Sequence, residues 1–138
     1  MSDRLSPQAA LIDVMVVVSA ADRRMSDDEL QTIGRIVQTL PVFRGFDLDQ
    51  LVPTAEACAT MLAGERGLDG VLQRVSQALP EHLKETAYAL AVEIAAADGG
   101  HIPQEVLRLL ELIRFALPVD HLAASAIERA AKARYAKG

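Results

Sequence analysis

Apolar side chains recur along this chain at helical spacing, and proline and glycine divide the pattern into segments of helix length. Ser6-Pro7 is a favourable helix start, and residues 9–21 after it carry only one charge, at Asp13. Residues 83–97 form a second segment that is apolar over most of its surface. Because helices of this kind are normally buried, we predict that the two lie at the centre of the fold and pack near each other.

The remaining segments alternate between apolar and polar faces and are shorter. The pattern predicts a single all-α domain over residues 1–138, a compact bundle of about six to seven helices. Its predicted parts are a first repeat over about 7–41, middle helices over about 47–79, a second repeat over about 80–118 and a C-terminal helix over about 120–136.

The two apolar helices belong to an internal repeat. Residues 17–22 match residues 93–98, and Leu40-Pro41 matches Leu117-Pro118, with one additional residue in the second copy. Each copy consists of an apolar helix, an acidic turn and an amphipathic helix that ends at Leu-Pro. We therefore predict two helix–turn–helix units related by an approximate twofold axis.

The acidic turns of the repeat are the strongest candidates for chemistry. Asp22 and Asp98 stand where a helix is predicted to end, and Asp28, Glu29 and Glu105 stand in the first turn of the next. A carboxylate at a helix C-terminus is disfavoured by roughly 0.3–1 kcal/mol. A hard cation bound by carboxylate and carbonyl oxygens would offset this cost. The alternative is that these residues are helix caps that accept hydrogen bonds from amides of the turn.

The pattern Ala-Asp-Gly, any residue, an aliphatic residue, a small polar residue and then acidic residues at a helix start is similar to the tellurite-resistance TerB family. The first turn departs from it in having Arg23 at the Gly position, and the second turn has one inserted residue. The resemblance spans about residues 11–117. The matching positions are Asp22, Ser26, Asp28 and Glu29 in the first copy, and Asp98, Gly99, Ile102 and Glu105 in the second. The resemblance implies an all-helical fold, a role in tellurite resistance or bacterial stress response, and acidic clusters that bind a divalent cation such as calcium.

The second turn is the better candidate for this cation. Gly99 and Gly100 can turn their carbonyl groups inward more easily than Arg23 and Arg24 at the corresponding positions. We expect Asp98 to be the essential ligand there.

The amino-acid composition argues against two classes of binding partner. The chain has 14 Lys and Arg against 19 Asp and Glu, a net charge of −5. Nucleic acids and anionic membranes both select basic surfaces, so neither is an expected partner, and no apolar run is long enough to be inserted into a bilayer. Cys58 is the only cysteine, which fits a reducing compartment, the cytoplasm.

Other residues leave alternatives open. Asp13 and Glu93, single charges in the two apolar helices, are either ligands or switches, or edge residues that reach water or an Arg partner. Cys58 is either a small buried hydrophobic residue or a reactive thiol. The basic residues of the last helix either stabilise its C-terminus or form a docking patch for an acidic partner; they are Arg129, Lys132, Arg134 and Lys137.

Two functions follow from these observations. The first is a non-enzymatic TerB-like stress protein that binds a divalent cation at the acidic turns and acts through protein partners. The second is a metal-free helical interaction module in which the acidic turns are only caps. No nucleophile–base pair or phosphate-binding glycine loop is visible, so we expect no enzymatic activity.

Overall fold

The computed structural model describes residues 5–22, 27–97 and 102–138, with only the backbone at Asp22. Over these ranges the chain forms seven α-helices and four short 3-10 turns and no strand, which confirms the all-α prediction. The helices are α1 (Pro7–Ser19), α2 (Asp27–Thr39), α3 (Leu51–Leu62), α4 (Gly67–Ala78), α5 (Lys84–Ala96), α6 (Gln104–Ala116) and α7 (His121–Arg134).

Two helices have side-chain caps at positions where the sequence predicts a helix to begin. The Ser6 side chain accepts a hydrogen bond from the Ala9 amide at 3.1 Å, and Pro7 occupies the first turn of α1. The Asp120 carboxylate accepts from the amides of Leu122 and Ala123 at the start of α7. These bonds satisfy amides that have no partner within the helix.

Two other helices begin later than the segments predicted from about residue 47 and about residue 80. Asp47 caps the 3-10 turn Leu48–Gln50, and α3 begins only after that turn, with Pro53 near its start. Pro80 is likewise followed by the 3-10 turn Glu81–Leu83 before α5 begins. Both differences have the same reason, because a tighter 3-10 turn commonly precedes the first regular turn of an α-helix.

The helix α1 is the centre of the core. Every residue from 10 to 19 of this helix is buried, and the helix packs against α5, α3 and α4. The second most buried helix is α5, which packs against α1, α7 and α6. The predicted central pair is therefore confirmed, while the approximate twofold axis stays a prediction.

Candidate interaction groove and the acidic turns

Side-chain contacts show that α7 runs parallel to α5. The Tyr88 hydroxyl donates a hydrogen bond to the Glu128 carboxylate at 2.5 Å. Farther along both helices, Arg134 and Tyr135 both donate to the Glu93 carboxylate, and Arg134 forms an ion pair with it. The contacts advance in the same direction on both helices, which fixes their relative direction. Glu93 thus has the Arg partner that one sequence interpretation predicted.

The helices α6 and α7 both pack against α5 and leave an open groove of about 1000 Å³ between them. Its floor includes Tyr88, Val92 and Ala96, which are spaced four residues apart on α5. Leu107 of α6 also lines the groove and remains 43% exposed. The three floor residues are themselves buried, so the exposed apolar surface of the groove comes mainly from Leu107 and from Ala133 of α7.

The dimensions of the groove suit an elongated ligand. Its lining extends on α6 from Gln104 to Arg114 and on α7 from His121 to Tyr135. At 1.5 Å per residue, these stretches are about 15 Å and about 21 Å long. The groove is therefore as long as three to four turns of a helix.

The walls of the groove are more basic than the protein as a whole. The basic side chains that line it are Arg108, Arg114, Arg129 and Lys132, and the acidic ones are Glu111 and Glu128. The groove thus has an excess of positive charge on a chain whose net charge is −5. Of the four basic residues predicted as a cluster at the end of the chain, Arg129 and Lys132 line this groove, whereas Arg134 is paired with Glu93.

The five predicted cation ligands are described to different extents. Asp98 lies outside the described residues, and only the backbone of Asp22 is described. Asp28 and Glu105 are exposed in the first turns of α2 and α6, and Glu29 is half-buried in the first turn of α2. Among the described residues, no three His, Cys, Asp or Glu side chains are grouped so that they could hold a metal ion.

The first acidic turn adjoins a buried hydroxyl. The 3-10 turn Ala20–Asp22 packs against α6, the helix that follows the second acidic turn. Ser19, directly before this turn, is 3% exposed, and its hydroxyl has no hydrogen-bond partner within the described chain. Such a group is costly to bury, by about 1–3 kcal/mol.

A second polar cluster lies in the core around Asp13. This residue is 6% exposed, so the interpretation that it reaches water is wrong. Burial raises the pKa of its carboxyl to about 7, and the positive charge of Arg74 and a hydrogen bond with Cys58 oppose this rise only in part. The Cys58 thiol also donates to the Asp13 carbonyl oxygen at 3.7 Å. Arg74, which the sequence interpretation did not single out, is the residue whose positive charge acts on this carboxylate.

Cys58 itself is 3% exposed, which confirms its interpretation as a small buried residue. Burial, together with the neighbouring Asp13, raises the pKa of the thiol well above its ordinary value. The thiolate, which is the reactive form, is therefore scarce at neutral pH.

Comparison of the chain with models of protein families, with curated proteins and with solved structures returned no match. The resemblance to the TerB family rests on the residues of the two turns quoted above, and it stays a prediction. Within the described ranges, no helix combines the length and the apolar character needed to cross a membrane.

Proposed function

We propose that the protein is a non-enzymatic helical module, acting in the cytoplasm, that binds a partner protein in the groove between α6 and α7. The observation that supports this proposal is the groove itself, in which the exposed side chain of Leu107 lies among charged residues of both walls. Exposed apolar surface with a polar rim is typical of protein-binding sites. The groove is also built on helices that the core holds in place, because α5 packs directly against α1.

The proposal is tested with two leucines of the same helix. Leu107 lines the groove at 43% exposure, whereas Leu112 is 47% exposed and lies outside the lining. We expect Leu107→Glu to weaken binding of the partner by about tenfold or more, because it places a charge in a buried apolar contact. Leu112→Glu, with the same change of charge, should change the affinity by less than about twofold.

The measurement requires a purified partner. Proteins retained by the tagged wild type and lost by Leu107→Glu are identified, produced separately and titrated by calorimetry against both variants. Circular dichroism of both variants checks that they remain folded. If the partner binds both variants with equal affinity, the groove is not its binding site.

The second candidate function is the TerB-like cation-binding protein. The repeated acidic turns of the sequence support it. A site of two carboxylates and a few carbonyl groups would bind calcium with a Kd of about 10⁻⁴–10⁻³ M. The cation would stabilise the native state alone and so raise the melting temperature.

Thermal melting with and without millimolar calcium, magnesium, manganese or zinc tests this candidate. We expect at least one of these ions to raise Tm by a few degrees in the wild type. Asp98→Asn should abolish this rise and leave the helical spectrum unchanged. Unchanged melting of the wild type with all four ions would mean that the acidic residues are only helix caps.

A further inference from the structure

We propose that the segment bound in the groove is an acidic amphipathic helix of the partner protein, an inference that rests on the function proposed above. One face of this helix would be apolar and would contact Leu107, Ile102 and Ala133, the lining residues with accessible apolar surface. Carboxylates on both sides of that face would meet the basic residues of α6 and α7. The inference depends on the shape of the groove and on the charges along its walls.

The shape favours a helix as the bound segment. The floor is a row of side chains on α5, and each wall is one face of a helix, with lining residues recurring three or four positions apart. A groove of this kind binds the apolar face of an amphipathic helix, whose anchors have the same spacing. The floor is buried, so such anchors would contact the accessible apolar side chains of the walls, Leu107 on α6 and Ala133 on α7.

The charges favour an acidic helix. Arg108 lines the groove on α6, and Arg129 and Lys132 line it on α7; all three are exposed. In the described part of the chain, none of the three takes part in an ion pair. The carboxylate of Glu128, in contrast, already accepts the hydrogen bond from Tyr88. The charges available to a ligand are therefore mainly positive, and they lie on both walls.

The same features disfavour a nucleic acid. Its phosphates would face Glu111 and Glu128 on the two walls, and the apolar floor offers no partner for a charged backbone. The negative net charge of the chain would also oppose the approach of a long polyanion. A short helix that combines apolar and acidic groups matches both the accessible apolar side chains and the basic ones.

The test uses two designed peptides of about 16 residues, each about 24 Å long as a helix. Both are stapled into the helical conformation and share one stripe of leucines, flanked by Glu in one peptide and by Lys in the other. Fluorescence anisotropy at low salt should show that the Glu peptide binds about tenfold more tightly than the Lys peptide. The difference should shrink at high salt, because salt screens exposed charges.

Two double variants test whether the groove is responsible for the preference for the Glu peptide. Arg129→Glu with Lys132→Glu changes the groove, whereas Arg44→Glu with Lys137→Glu makes the same change of net charge at exposed positions outside it. The groove variant should lose the preference for the Glu peptide, with its affinity falling about tenfold or more. The control variant should keep both affinities within about twofold of the wild type.

Several results would overturn the inference. These are equal binding of the two peptides, equal effects of the two double variants, or binding of a duplex oligonucleotide that Leu107→Glu abolishes. Dimerisation of the wild type that is lost in Leu107→Glu would identify a second copy as the occupant instead. If neither peptide binds while the natural partner still requires Leu107, the inference fails and the proposed function stands.

Discussion

Asp13→Asn is expected to stabilise the protein at pH 8 by a few kcal/mol, with about 4 kcal/mol as the upper bound. The carboxyl of Asp13 lies in the core, where burial raises its pKa from 3.8 to about 7 despite the nearby charge of Arg74. At pH 8 the folded wild type therefore contains a buried carboxylate. Asn is similar in size and carries no charge, so the variant avoids this cost.

The effect has a defined dependence on pH. Between about pH 4 and pH 7 the folded protein keeps the Asp13 proton that the unfolded chain has lost, because the folded-state pKa is the higher one. The contribution of this group to the free energy of unfolding therefore falls as the pH rises through this range, and it is constant above it. The advantage of Asp13→Asn should grow from about pH 4 to pH 7 and then level off.

Urea unfolding across this pH range measures the difference in the free energy of unfolding between the wild type and the variant. Asp49→Asn is the matched control, because Asp49 is an exposed carboxylate in the 3-10 turn before α3. It should leave the pH profile of the wild type unchanged. A variant at position 13 that becomes less stable relative to the wild type as the pH rises would mean that the ionised carboxylate stabilises the fold through Arg74.

Cys58 is expected to react with a thiol reagent at least about 10³-fold more slowly in the folded protein than in urea. The thiol is 3% exposed and donates to the Asp13 carbonyl oxygen, so the reagent gains access only when the core opens. Opening of a buried core costs on the order of 5 kcal/mol or more, which corresponds to this ratio of rates. The raised pKa of the thiol slows the reaction further.

An exposed cysteine on the same helix provides the control. Ala59 is exposed and follows Cys58 directly, so the variant Cys58→Ala with Ala59→Cys places the thiol on the surface of α3. This variant should be labelled rapidly when folded. Equally rapid labelling of the folded wild type would contradict the buried position and would favour a redox role.

The sequence predicted those parts of the fold that depend on local pattern. The apolar surface of residues 9–21 and 83–97 identified the two central helices, and Ser6 and Asp120 identified two helix starts. Hydrophobic burial and capping act within a few residues along the chain, so they are visible without a structure.

Contacts between distant segments could not be predicted in this way. Arg74 is 61 residues from Asp13, so nothing local indicated that its charge would act on this buried carboxyl. The basic residues Arg129 and Lys132 were visible as a cluster, but the groove that they line depends on the packing of α6 and α7 against α5. The hydrogen bond between Tyr88 and Glu128, 40 residues apart, is part of that packing.

Amide chemical-shift mapping with the purified partner determines whether it binds between α6 and α7. In spectra of the isotope-labelled protein, we expect the largest changes on the faces of α5, α6 and α7 that line the groove, including Val92, Leu107 and Ser125. Amides of α2 and α3, for which no lining residue is found, should change little. Large changes confined to α2, α3 or the acidic turns, with the groove unaffected, would contradict the proposed binding site.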